Sequence, residues 1–404
     1  MKMFNLDSFI NQYVTKRSGS MFYQDIEANL NELTRKITGK TALVIGGAGS
    51  IGSSFVKAML PFKPASLVVV DTNENALAEL TRDIRSTKGM YVPEDYITYP
   101  MDFASPVFEK MFRKRGGFDI VGNFSAHKHV RSEKDIYSVE ALLQNNVLHA
   151  KLLLDLLSEY PPEEYFCVST DKAANPVNIM GASKRIMEDV IFSYSERFPV
   201  KTARFANVAF SNGSLPAGFL ARIQKLQPLS APSDVRRYFV SPEESGQICL
   251  LSCILGENRA IFFPKLDEAQ MMTFDAIGTE LLNAHGYEVL ECTSDEEAID
   301  KAEELKNGSI LYPVHYSVSD TSGEKPFEEF VTDTEKADMN RFSSLGVITG
   351  KEIPDRSKVE TLFAKLKDVF DKESTTKEEV VEILKDYLPN FEHIETGKSL
   401  DSKM

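Results

Sequence analysis

Residues 169–184 read Ser-Thr-Asp-Lys-Ala-Ala-Asn-Pro-Val-Asn-Ile-Met-Gly-Ala-Ser-Lys. Thr170, Asp171 and Lys172 set a hydroxyl, a carboxylate and an ammonium side by side, and such a trio can shuttle protons. The trio follows an apolar run, Tyr165–Ser169. If that run is a central strand, the trio lies at its carboxyl end, where open parallel sheets bind ligands. Composition alone also permits an ordinary helix start at Thr-Asp-Lys.

A second constellation lies upstream, Thr41-Ala-Leu-Val-Ile-Gly-Gly-Ala-Gly-Ser-Ile-Gly52. An apolar strand runs into Gly46, Gly49 and Gly52, and a helix follows. Glycines there permit a tight turn and let the backbone approach a pyrophosphate on the helix N-terminus. Gly46, Gly49, Ser50, Ile51 and Gly52 are therefore candidate cofactor contacts. The next apolar run ends in Asp71, placed to hydrogen-bond an adenosine ribose. Its charge would repel a 2′-phosphate, and Thr72-Asn73-Glu74-Asn75 supplies no arginine, so NAD is favoured over NADP. Asp102 could accept from the adenine amino group, or merely cap a helix starting near Pro106.

Short apolar runs position these groups: Ala42–Ile45, Leu67–Asp71, Ile97–Met101, Ile120–Phe124, Tyr165–Ser169 and Lys201–Phe205. Helices are predicted between them, notably Val139–Ser158 and Ile179–Arg197. Apolar strands alternating with helices indicate a parallel sheet covered on both faces, a doubly wound α/β fold. Residues 1–39 form a polar preamble in which Ile26, Leu30, Leu33 and Ile37 have the spacing of one apolar helix face. Residues 40–208 make the dinucleotide-binding domain. Residues 209–350, broken by Pro216, Pro228, Pro232 and Pro242, make a smaller mixed α/β lobe with the chain crossing between lobes. Within it, 274–306 reads as two helices around a strand, Tyr287–Leu290, and its glutamates as a solvated face. Residues 351–404 offer two amphipathic helices and a polar end.

The stretches Ser125-Ala126-His127-Lys128-His129-Val130, Ser169–Lys184, Arg204-Phe205-Ala206-Asn207-Val208, Arg237-Tyr238-Phe239 and Gly323-Glu324-Lys325 join the glycine loop in one ordered series. With it the chain resembles the nucleotide-sugar branch of the extended short-chain dehydrogenases, in particular the UDP-N-acetylglucosamine 4,6-dehydratases of bacterial polysaccharide biosynthesis. The resemblance runs from about Thr41 to Glu329 and implies a Rossmann fold binding NAD. It implies that Thr170, Asp171 and Lys172 carry the proton chemistry of dehydration and that Lys184 grips the nicotinamide ribose. Ser125 and Ala126 would line the cofactor pocket. His129, Asn207, Arg237 and Glu324 would contact the UDP-sugar, although Asn207 also suits a turn and Arg237 a surface ion pair. The implied reaction moves hydride from C4 to the cofactor, eliminates water across C5 and C6, and returns hydride to C6. A UDP-sugar 4-epimerase and a non-catalytic NAD-sensing protein are the alternatives.

Two positions depart from the family pattern. The usual tyrosine four residues before Lys184 is Met180, whose thioether cannot exchange a proton. Some 4,6-dehydratases also carry methionine there, which favours dehydration over simple dehydrogenation or epimerisation. The second departure is Asp320-Thr321-Ser322 before Gly323-Glu324-Lys325, where arginine and proline are usual.

The bulk properties set outer bounds. The 404 residues suffice for a large α/β domain plus a second lobe, and 42% are hydrophobic. A net charge of -14 disfavours nucleic acid and anionic lipid as partners. Cys167, Cys249, Cys253 and Cys292 lack metal-ligand spacing, and unpaired thiols fit a reducing cytoplasm. His127 and His129 lack a third ligand, so no metal is expected. There is no signal-peptide pattern and no apolar run of about 20 residues, so a soluble homo-oligomer is expected.

Overall fold

The computed structural model describes residues 4–129, 133–319 and 328–394. Six strands build the core of the main sheet: β1 (Thr41–Ile45), β2 (Ser66–Asp71), β3 (Asp95–Pro100), β4 (Ile120–Asn123), β5 (Glu164–Val168) and β6 (Val200–Ala203). They lie in the order 3-2-1-4-5-6, every pairing parallel. Beyond β6 the sheet continues through Ile261–Pro264, parallel, then Leu345–Ile348 and Ala337–Asp338, antiparallel. Strands from within 209–350 therefore complete the main sheet. Helices cover both faces, with a separate apolar cluster on each, as a doubly wound α/β fold requires.

β1 and β2 end where their apolar runs do, and the other four strands end one or two residues earlier. Phe124 and Ser169 leave the ladder but still donate backbone hydrogen bonds to Ile45 and Ala203, at 2.7 and 2.9 Å. Helix Glu74–Ser86 shows the local logic of the intervening segments. Asn73 caps it by accepting from Ala76 N at 3.0 Å, and Leu77, Leu80 and Ile84 form its buried face.

The predicted single helix over 139–158 is instead Ile136–Leu143 and His149–Glu159, joined by a π-helical turn at Gln144–Leu148. Such wide turns concentrate at functional sites. Helix Ile179–Phe192 stops before Arg197, in turns stabilised by Ser193 and Tyr194 backbone bonds. In the preamble, Asn29 separates two short helices, Tyr23–Ala28 and Leu30–Ile37, its amide donating to the Asp25 carbonyl at 2.7 Å. Leu33 and Ile37 are buried as expected, but Leu30, the first residue of the second helix, is half exposed. Phe9, Ile10 and Val14 pack into the second lobe instead.

That lobe is built on three parallel strands, Leu229–Pro232, Leu311–Ser317 and Glu288–Glu291. The tail helices Arg356–Phe370 and Lys377–Tyr387 bury Val359, Leu362, Leu366 and Leu384 against the main sheet's first cluster. The four cysteines are free and buried. Among the described residues no helix is long and apolar enough to cross a membrane.

Arg204, just beyond β6, is wholly buried and binds two carboxylates. It meets Glu188 at 2.8 and 2.9 Å and Glu335 at 2.6 and 2.9 Å. Burial alone would favour neutral Glu188, but Arg204's charge and hydrogen bonds outweigh it and hold that carboxyl below its ordinary value. Arg204→Met should cost about 3–5 kcal/mol, because it strands buried carboxylates. Urea unfolding followed by circular dichroism measures this, and a loss below ~1 kcal/mol would contradict the role given to Arg204.

Candidate active site and dinucleotide cleft

The cleft opens where the strand order reverses, between β1 and β4, the ordinary ligand site of such sheets. Gly46 turns the chain out of β1 at φ 69°, and a Cβ there would lie 2.5 Å from Ser125 N. A Cβ at Gly52 would lie 2.3 Å from the Gly46 carbonyl oxygen. The fold therefore excludes side chains at both positions. At Gly49 the nearest atom is 3.4 Å away, so nothing in the protein demands glycine there. What its missing side chain leaves open is the approach to the N-terminus of helix Ser50–Met59. Gly49 gives that helix no side-chain cap, and the first-turn N–H groups of Ser50, Ile51 and Gly52 have no intrahelical acceptor. The Ser50 hydroxyl accepts from Asn212 N at 2.8 Å, tying the loop to the segment after β6.

Asp71 performs a structural task beside the ribose contact expected of it. Its Oδ2 accepts from Ala48 N at 3.0 Å, bracing the glycine loop, and Oδ1 accepts from Asn73 N at 2.9 Å. Asp102 accepts from Ala104 N at 2.8 Å, while Ser105 caps the helix at Pro106, so the capping alternative for Asp102 falls away. Gly46, Gly49, Asp71, Asp102, Ser125 and Ala126 all line one cleft of about 460 Å³. Its Gly-built floor, uncapped helix and terminal acid fit the adenosine and diphosphate portion of a dinucleotide.

Asn145 and Asn146, on the π-helical turn, hold the far wall, and neither stood out in the sequence. Asn146 accepts from His127 N and donates to the His127 carbonyl, each at 2.9 Å, and donates to Ser183 Oγ at 3.1 Å. Ser125 Oγ donates to Asn145 Oδ1 at 3.3 Å. A π turn advances side chains differently from an α-helix, so α periodicity gave no sign of them.

The Thr-Asp-Lys trio sits at the end of β5. Ser169 is fixed by its bond to Glu188 at 2.7 Å, and Asp171–Ala173 form a single tight turn. The Thr170 hydroxyl donates to Asp171 Oδ1 at 2.7 Å. The Lys172 ammonium lies 3.3 and 3.4 Å from the same carboxylate. Asp171 is nearly buried and Lys172 partly exposed, so the pair is a surface of the site rather than a core ion pair.

Two assigned residues are oriented inward. Met180 is 2% exposed within the apolar core, its N–H bonded to Glu133 Oε1 at 2.8 Å. Lys184 is also buried, with Nζ 3.1 Å from the Val168 carbonyl oxygen. Burial lowers its pKa, and the nearby Cys167 and Glu188 only partly offset that.

The expected substrate residues meet only in part. Asn207 donates to Glu328 Oε1 at 2.6 Å, and buried Arg237 donates to the Arg236 carbonyl at 2.9 Å. His129 packs on Gly213, where a Cβ would lie 2.9 Å from its Nε2. Glu324 and the departure at Asp320–Lys325 fall outside the described residues. Glu328, a buried carboxyl that drew no notice in the sequence, joins Asn207, Arg237 and Asp171. Its one sequence signal was its place soon after Gly323-Glu324-Lys325. Among the described residues no group of three or more His, Cys, Asp or Glu could hold a metal. A larger hollow of about 610 Å³, lined by Asp7, Ser54, Pro242 and Leu250, contains none of the candidate residues.

A family model described as polysaccharide biosynthesis protein matches residues 42–349. A Methanocaldococcus jannaschii protein, named as an uncharacterized membrane protein, is 30% identical over 299 residues, 68% of this chain and 86% of its own length. A UDP-N-acetylglucosamine 4,6-dehydratase (inverting) from Campylobacter jejuni is 27% identical over 56% of this chain and 67% of its own. A UDP-glucose 4-epimerase from Rickettsia conorii is 28% identical over 66% of this chain and 81% of its own. The match covers only 43% and 40% of the polysaccharide biosynthesis relatives from Bacillus subtilis and Staphylococcus aureus. Among solved structures, the dTDP-glucose 4,6-dehydratase DesIV of Streptomyces venezuelae, with NAD and TYD bound, shares the fold. Its TM-score is 0.52 at 19% identity, over 72% of this chain and 88% of that one.

The Asp71 geometry carries a measurable consequence. NAD⁺ should bind more tightly than NADP⁺ by about 1–3 kcal/mol, the scale of one charge-assisted hydrogen bond made or opposed. Calorimetric titration of both cofactors checks this, and equal affinities would remove Asp71 from the ribose site.

Proposed function

The chain belongs to the polysaccharide biosynthesis protein family, and from that premise we propose that it is an NAD-dependent nucleotide-sugar 4,6-dehydratase acting on UDP-N-acetylglucosamine. The coarser reading, an NAD-dependent enzyme that modifies nucleotide sugars, is supported by the dehydratases and epimerases among its relatives. The dehydratase choice rests on one observation. The Thr170–Asp171–Lys172 cluster is contiguous and hydrogen-bonded, while Met180 is buried where a hydroxyl base would otherwise stand.

Bound NAD would supply hydride acceptance at C4 and hydride return at C6. The protein's own residues would manage the protons. With Met180 unable to exchange one, Asp171, held by the Thr170 hydroxyl, would take the O4 proton. Oxidation at C4 acidifies the C5 proton, which Lys172, in its neutral form, would remove. Asp171 would then deliver the O4 proton to the departing C6 hydroxyl, so one carboxyl serves as base and later as acid. Hydride return to C6 would be matched by return of the C5 proton from Lys172, so that both side chains end as they began. The ribose grip assigned to Lys184 requires its amine to turn from the Val168 carbonyl toward the cleft.

Mass spectrometry of UDP-N-acetylglucosamine incubated with the protein and NAD⁺ tests the reading. Loss of one water is expected, and unchanged mass with an altered sugar would identify an epimerase instead. Two variants separate the steps. Asp171→Asn should abolish both oxidation and water loss, a fall of about 10²–10⁴ in rate. Lys172→Ala should still form NADH but lose no water. Rapid-mixing absorbance of NADH distinguishes them, and wild-type NADH formation in Asp171→Asn would refute the double role of Asp171.

A further inference from the structure

Glu328 is 7% exposed, yet its surroundings are polar. Its Oε1 accepts from Asn207 Nδ2 at 2.6 Å, and both oxygens lie 3.2–3.3 Å from Tyr238 N. Arg237 and Asp171 act on it electrostatically in opposite senses. The position is held from behind. Phe330 stacks on Phe263 at 6.0 Å and meets Tyr238 at 6.2 Å, and its carbonyl accepts from Arg204 at 2.7 Å. Asn175 also donates to Glu329 at 3.1 Å. The carboxyl is thus fixed on two hydrogen-bond donors beside a buried guanidinium, a set of groups suited to an anion.

We propose that Glu328 is an affinity-determining residue of the nucleotide-sugar site, an internal anion that occupies the Asn207 and Tyr238 donors beside Arg237 and takes up a proton when a diphosphate binds there. The inference rests on the nucleotide-sugar reading proposed above, with Asn207 and Arg237 taken as the residues that serve the diphosphate. Two anions cannot share these donors without mutual repulsion in a buried setting, and protonation of the carboxyl removes one charge. Burial, reinforced by the negative charge of Asp171, pushes the Glu328 carboxyl up to about 7, with Arg237 and the Tyr238 N–H pulling the other way. Lys172 is paired to Asp171, and Asp267 and Glu268 reach this cluster through Tyr238. Below that pH the acid form already predominates and binding is unhindered. Above it, binding must draw a proton from solution.

The experiment is calorimetric titration of UDP into the wild-type holoenzyme and Glu328→Gln between pH 5.5 and 8.5. The glutamine keeps an oxygen for the donors but cannot ionise. The ratio of wild-type to variant Kd should be near one at the acidic end and rise about tenfold by pH 8, one unit above the Glu328 midpoint. Using the ratio cancels the titration of UDP itself. Should Glu328→Gln fail to fold, wild-type protein alone suffices. In buffers of different ionisation enthalpy, UDP binding at pH 8 should take up close to one proton. UDP binding with a pH-independent ratio, or without proton uptake, would overturn the role of Glu328 and leave the nucleotide-sugar reading standing. No UDP binding at any pH would overturn both.

Discussion

The buried guanidinium of Arg204 is the interaction on which the rest of the site depends. It joins three parts of the chain that are remote in sequence: the end of β6, Glu188 on helix Ile179–Phe192, and the segment at Phe330 and Glu335. Glu188 in turn accepts from Ser169, the residue before Thr170. A displacement of Arg204 would therefore reach the Thr-Asp-Lys turn through Glu188 and Glu328 through Phe330. Burying this charge has a large desolvation cost, offset only because both carboxylates bind with full hydrogen-bond geometry. Lys351 at 2.9 Å and Arg185 at 3.5 Å add further cations on Glu335.

In the proposed reading, cofactor handling and proton handling lie apart around this anchor. The glycine loop, Asp71 and the Asn145–Asn146 turn shape a cleft on one side of the topological switch. Asp171, Lys172 and Glu328 gather beyond β5, on groups held by β6 and by segments later in the chain. The tail closes the back of this region. Lys377 donates to the Glu133 carbonyl at 2.8 Å, and Ile394 N donates to the Val177 carbonyl at 3.1 Å. Glu133 is also the acceptor for Met180 N, so the tail steadies the start of the helix that carries Met180 and Lys184.

Features encoded by neighbours in sequence are legible in the sequence itself. The glycine turn, the acid ending β2 and the Thr-Asp-Lys turn each depend on a few adjacent residues and on strand alternation. Features that depend on distant partners are not. Glu328 carries no pattern of its own, and its meaning comes from Asn207, Arg237 and Asp171, which only the folded chain brings near it. The resemblance assigns Lys184 to the nicotinamide ribose but carries no rotamer, and its amine lies against the Val168 carbonyl. Residues 139–158 looked like one helix because the apolar period persists across the π turn, where backbone widening, not hydrophobicity, makes the difference. Leu345–Ile348 was not read as part of the main sheet, since a short strand's partner is set by tertiary packing.

The proposed reaction is an internal redox cycle in which hydride would leave C4 and return to C6 of the same sugar. UDP-N-acetylglucosamine deuterated at C4 tests it most directly, with the product examined by NMR and mass spectrometry. The cycle predicts a dehydrated sugar with deuterium at C6. Deuterium recovered at C4, or lost to solvent, would contradict it.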